Sequence, residues 1–221
     1  MAGPTSILVD GSRLSRIDRA LLRVETWLAL IAGLAVLALM GLAVAQVGGR
    51  NFINRPLPGY VDWIEQAMPL IAFLGIAYTQ RPGGHIRMDI AIGRLGGRAL
   101  WAAEWVTTLV TLILILILIW GSWSHFGRSF DWNAPLFSRD STMDIRLPVW
   151  PAKLIVPVAF GVLALRLAIQ LWGYGRAFAL NLDRPVAVPL IESAAEVAAA
   201  EASALDAAGD PNMDPDEGKR R

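Results

Sequence analysis

Side chains able to do chemistry are sparse in this chain. Among 221 residues there is no cysteine, and the two histidines are His85 and His125. The lack of cysteine excludes disulfides, thiolate nucleophiles and thiolate-bound metal or iron–sulfur centres. A haem or metal ion held between helices needs ligands that meet at one depth, and the hydropathy pattern puts the two histidines on opposite sides of a membrane. Neither H-E-x-x-H nor G-x-x-x-x-G-K-[ST] occurs, and no serine stands with a histidine at usable depth. Gly83 and Gly84 beside Arg81 and Arg87 have the composition of a phosphate cradle, but a solvated turn is the preferred reading. No cofactor is expected in this chain. A membrane-embedded enzyme would have to rest on Glu104 or His125 as its acid or base.

Charges near the ends of apolar runs are more informative. Asp62 and Glu65 are three apart and share a helix face, with Trp63 beside them as an interfacial ring would be. Arg50 and Arg55 lie within potential reach of both acids. Arg166 stands about two turns before Tyr174, so it can either snorkel to the interface or take a partner at depth. Glu104 lies one turn past Trp101, where Arg94, Arg98 or Arg166 would neutralise it. No series of charges passes through the centre of an apolar run, where each would cost roughly 2.5 to 3.5 kcal/mol, so no ion pathway is expected. These charges read as structural anchors or subunit contacts.

The elements that must position them follow from composition. Hydrophobic residues make up 55% of the chain and charged residues 18%, below the roughly 25% charge of soluble domains. Apolar runs near 26–47, 60–80, 99–124 and 149–173 predict an all-α integral membrane protein of four transmembrane helices. The first run is roughly 33 Å long as a helix, enough for a hydrocarbon core of about 30 Å. The run TLILILILIW, Thr111 to Trp120, alternates like a strand, but its apolar surroundings are too long for one. Trp101 and Trp123, and again Trp150 and Trp172, are spaced to put one ring in each interface.

Ahead of the first span, Arg13, Arg16, Arg19 and Arg23 alternate with Leu14, Ile17, Leu21, Leu22 and Val24, which predicts a basic amphipathic N-terminal helix. Residues 1–11 read as a flexible N-terminus, and 12–176 as the four-helix membrane domain. The basic residues, the apolar run and Ala43-Val44-Ala45 imitate a signal peptide, although the run exceeds the usual apolar region of one. The tail, 177–221, is acidic and Ala-rich with too few large apolar residues to build a core, and is expected to be mostly disordered. From Pro185 onward it holds eight acidic residues against three basic ones. The rest is therefore basic, which suits anionic lipid headgroups and gives no reason to invoke nucleic acid.

Lys and Arg flanking the spans set the orientation. Ten lie in the N-terminal segment, the second loop and the C-terminal flank, against five, or six with Lys153, in the first and third loops. Both termini are therefore expected in the cytoplasm. The third loop, His125 to Pro148, would then face outward. With Phe126, Phe130, Trp132 and Phe137 it is expected to pack on the membrane surface or a partner.

Two stretches carry a resemblance. YVDWIEQAMPLIAFLGIAYTQRPGGHIRMDI, Tyr60 to Ile90, and LPVWPAKLIVPVAFGVLALRL, Leu147 to Leu167, resemble the small membrane subunit of tripartite ATP-independent periplasmic (TRAP) transporters, over roughly residues 20 to 175. The resemblance implies a multi-pass protein of the bacterial inner membrane. Its expected partners are the lipid bilayer, a large elevator-type membrane subunit that carries the sodium sites, and a periplasmic substrate-binding protein that delivers organic acids. On this chain it points to Asp62, Trp63, Glu65, Arg81, His85, Arg87, Asp89, Leu147, Pro148, Trp150, Pro151, Lys153 and Pro157; Arg166 joins them on its depth. The third loop, Phe126 to Asp144, does not align with the family pattern. No internal repeat and no pair of Gly/Pro-broken spans marks a solute site, which favours an accessory subunit. A free-standing four-helix scaffold of another system is the alternative.

Overall fold

The computed structural model describes residues 13–81 and 98–180; the expectations for residues 1–11, for the basic loop with His85, Arg87 and Asp89, and for the tail beyond 180 lie outside them. In chain order the elements are α1 (Arg13–Phe52), α2 (Tyr60–Phe73), α3 (Ile76–Gln80), α4 (Arg98–Ser129), a 3-10 turn (Pro135–Phe137) and α5 (Trp150–Leu180). Among the described residues three helices, α1, α4 and α5, are long and apolar enough to cross a membrane. At 40 residues α1 is roughly 60 Å long, about twice a hydrocarbon core. The basic amphipathic segment and the first span are therefore one continuous helix, and it runs unbroken through Ala45 and Gln46.

The second apolar run does not form one helix of spanning length. It is split into α2, of 14 residues, and α3, of 5. The interruption falls at Leu74 and Gly75, not at Pro69, which stays inside α2. Both joint residues keep right-handed helical dihedrals (Leu74 φ −67°, Gly75 φ −82°). The chain therefore carries on in nearly the same direction while the regular hydrogen bonding lapses, as a glycine in a helix interior permits.

α5 is the central helix. Buried residues make up 6% of the apolar window of α1, 17% of that of α4 and 39% of that of α5. α4 packs chiefly on α5, while α1 packs on α2, α3 and α5. Small residues let the helices approach closely: Ala32 of α1, Leu74 and Ala159 of α5 form one cluster, and Ala77, Ile115, Leu163 and Leu167 another. Lipid tails are as apolar as leucine, so burial of these side chains gives little drive for helix association inside a bilayer. The polar ties between helices carry more of that work.

Two details of the expected aromatic ruler change. Trp101 is buried at 6% exposure, stacked on Tyr174 with centroids 6.2 Å apart, so Trp105, 36% exposed, is the outward ring near the start of α4. Trp150 turns its indole N–H to the Leu136 carbonyl at 2.9 Å, while Trp123 and Trp172 stay exposed. The third loop is ordered. Short antiparallel bridges join Phe130 to Ser138 and Ser141 to Pro148. Phe130 gathers Phe126, Trp132, Phe137 and Trp150 within 5.0 to 6.4 Å, leaving Trp132 and Met143 at the surface.

Candidate functional site

The residues singled out by sequence do not converge on one site. Among the described ones, Arg81 and Arg166 fall in one polar cluster, and Asp62 and Lys153 in a second region toward the other end of the bundle.

The first lies toward the end where α1 begins, around the middle of α5. Arg166 is completely buried, so it does not snorkel, and its carboxylates are Asp18 and Glu25 of α1, not Glu104. Nε donates to Glu25 at 2.7 Å and Nη2 to the other oxygen of Glu25 at 2.5 Å, a two-pronged contact that matches guanidinium to carboxylate. Nη1 donates to Asp18. The second oxygen of Asp18 accepts from Arg81, beyond the end of α3, at 2.9 Å. Two cations face two anions, so a group too costly to bury alone is neutralised where it sits. One turn further along α5, Gln170 exchanges hydrogen bonds with the side chain and carbonyl of Gln80 at 3.1 and 3.3 Å. Three separate helical segments are thus tied through polar side chains.

Local sequence explains the placement. Leu14, Asp18, Leu21 and Glu25 recur every three or four residues and form the buried stripe of α1, while Arg16, Arg19 and Arg23 turn outward. Of the apolar residues in the amphipathic reading, Ile17 and Val24 are exposed, and two acids share the inner face with Leu14 and Leu21. Asp18 and Glu25 were not singled out by sequence. Their seven-residue spacing, on the same face as Leu14 and Leu21, was the available signal.

The second cluster lies at the end formed by α2, the third loop and the start of α5. Asp62 and Glu65 do not act together there, since Asp62 is buried and Glu65 exposed. Nor does Asp62 bind Arg50 or Arg55. It accepts from the Thr142 hydroxyl at 2.7 Å and from the backbone N–H groups of Ile145 at 2.7 Å and Asp144 at 3.1 Å. The loop answers with the Asp144 carboxylate, which accepts from the Gly59 N–H at 2.5 Å. Gly59 sits at φ 72°, and a Cβ there would lie 2.4 Å from Ile145 Cδ1, so only glycine fits this closure. Gln66 adds a bond to the Pro148 carbonyl at 2.7 Å.

Lys153, on the first turn of α5, donates to Asp140 at 2.9 Å and also to Ser129, whose hydroxyl donates to Asp140 at 2.5 Å. The Ser129 hydroxyl, and then Lys153, hold the Asp140 carboxyl below its ordinary range. Pro151 falls in the first turn of α5, where a missing N–H costs nothing, while Pro157 is buried further in. Between α2 and α5, Trp63, Pro148, Pro151 and Ile155 wall an apolar groove of about 360 Å³. Thr142, Asp140, Ser129 and Asp144 were missed because their partners stand 11 to 85 positions away, beyond any helical period.

Among the described residues no three His, Asp or Glu gather as a metal site. Among the described residues the arrangement is one of ties and clamps between segments. Comparison with curated proteins returns no match. The profile of the family described as "Tripartite ATP-independent periplasmic transporters, DctQ component" matches residues 39–175, well over half of the chain, with Arg81, Arg166 and the Asp62 clamp inside the match and Asp18 and Glu25 ahead of it. The chain belongs to that family, as the small membrane subunit of a TRAP transporter.

Proposed function

We propose that this subunit is a static brace for the large sodium-coupled elevator subunit, and that its loop end helps to dock a periplasmic binding protein carrying organic acids. The observation that carries the reading is the contrast between a cross-tied interior and a bare exterior. α1 has only 6% of its apolar window buried, and Leu34, Leu37, Met40 and Val44 stand 56 to 73% exposed along it. Such a surface suits lipid or the helices of a larger membrane partner. On this reading α2 and α3 together make a fourth crossing of roughly 31 Å, both termini are cytoplasmic, and Trp132 and Met143 face the periplasm of an inner-membrane complex. Glu65 and the Trp63–Pro151 groove supply contacts to the partner.

Because the chain lacks cysteine, orientation can be read by single introduced thiols: Trp132→Cys should label from outside and Arg19→Cys only after permeabilisation. The functional test is reconstitution. The chain alone in liposomes should show no sodium-driven uptake, the complex with the large subunit and binding protein should, and Glu65→Ala should lower recovery of the large subunit in copurification. Uptake by the chain alone, or reversed labelling, overturns the reading.

A further inference from the structure

We propose that the groove between α4 and α5 at the terminal end binds the headgroup of an anionic phospholipid. It has a volume of about 590 Å³ and is walled by Trp105, Ala168, Leu171, Trp172, Gly175 and Arg176. Its chemistry changes in order along α5. Ala168 and Leu171 form an apolar floor, Trp172 and Trp105 the middle, and Arg176 the outer rim, a rise of roughly 12 Å from first to last. That sequence of apolar, aromatic and cationic groups matches acyl chain, glycerol ester and phosphate as a lipid crosses from hydrocarbon to headgroup.

Three details favour a lipid phosphate over plain exposure. Arg176 is exposed and has no carboxylate partner among the described residues, so its guanidinium is open to a phosphate. Trp172 lies one turn before Arg176 on the same helix face and is 60% exposed, a large ring with no cover. Gly175 lets the indole of Trp105 lie close against α5, since a Cβ there would meet Trp105 Nε1 at 3.3 Å. The Trp105 N–H is thereby held beside the groove, level with Gly175 and next to Arg176, as a second donor to the ester and headgroup oxygens. The inference rests on α4 and α5 crossing the bilayer and is independent of which solute the transporter carries.

The test is retention of lipid by the full chain in detergent, read by native mass spectrometry with phosphatidylglycerol or phosphatidylcholine of equal acyl chains. The wild type should retain phosphatidylglycerol in preference. Arg176→Gln should weaken retention about fivefold, and Trp105→Phe, which keeps the ring and removes the donor, about threefold. Arg50→Gln, at the far end of α1, should change nothing. Equal retention of the two lipids, or equal retention by wild type and Arg176→Gln, overturns the proposal. So does competition by inorganic phosphate, which would indicate an anion site without lipid, or loss of the lipid on assembly with the large subunit, which would make the groove a subunit contact.

Discussion

The two ends of this bundle solve the same problem, joining segments far apart in sequence, with opposite chemistry. At the terminal end, four ionised side chains meet where Arg166 and Glu25 are wholly buried. At the loop end, Asp62 is held by a hydroxyl and by backbone N–H groups, and Lys153 and Asp140 pair where water still reaches them. The difference lies in what remains when one partner is removed. In the first cluster an orphaned charge stays in a medium that cannot solvate it, whereas at the Lys153–Asp140 pair of the second, water can take the missing place. The first should therefore behave as all-or-none and the second as graded.

Removing Arg166 should have the largest effect. Arg166→Met leaves Asp18 and Glu25 facing each other without their shared cation, and should destabilise the chain by about 3 to 5 kcal/mol in thermal unfolding in detergent. Arg166→Lys should recover only part of the loss, because a single ammonium cannot reproduce the two-pronged contact with Glu25. Unchanged unfolding of Arg166→Met would remove the contrast between the ends.

Gly59→Val should come next. Its left-handed backbone costs a side chain about 1 to 2 kcal/mol, and the added Cβ would also collide with Ile145. The expected outcome is a lower melting temperature with the loop detached from α2. Asp62→Ala should act more locally, speeding limited proteolysis between Ser141 and Leu147 roughly tenfold. Equal cleavage in the variant and the wild type would show that the clamp does not order the loop.

The smallest effect belongs to Asp140. Its carboxyl is held below the ordinary range by Ser129 and Lys153, so it favours the folded loop at pH values above that ordinary range. The contribution is lost as pH falls through the lowered folded value. Tryptophan fluorescence from Trp132 and Trp150 should thus stay constant at neutral pH and change only below about pH 4. Asp140→Asn should flatten that acid limb and alter loop stability at neutral pH by less than about fivefold.

Sequence patterns and tertiary pairing were legible to different degrees. The long helices follow from uninterrupted apolar runs such as that of Thr111 to Trp120, and the polar anchors Asp62, Arg81, Lys153 and Arg166 stand out because charge is rare beside such runs. Their partners do not stand out: Arg166 meets residues 141 and 148 positions earlier, and no period in a single helix encodes that. Asp18 and Glu25 were hidden for a further reason. They sit among four arginines, so the segment reads as basic although its inner face is acidic. Trp101 shows the same limit for rings, since spacing gives height along a helix but not whether the ring faces the lipid or Tyr174. The break at Leu74–Gly75 escaped because Pro69, the stronger breaker by type, lies only five residues before it.

The most direct test of neutralisation as the tie between α1 and α5 is to remove all its charges together. In the triple variant Asp18→Asn, Glu25→Gln, Arg166→Met no ion of the tie between α1 and α5 is left buried, and Arg81, 19% exposed, can turn to solvent. Copurification with the large subunit, compared among the wild type, Arg166→Met and the triple variant, should show the single change failing and the triple change restoring most of the yield. A triple variant as poor as Arg166→Met would contradict this account.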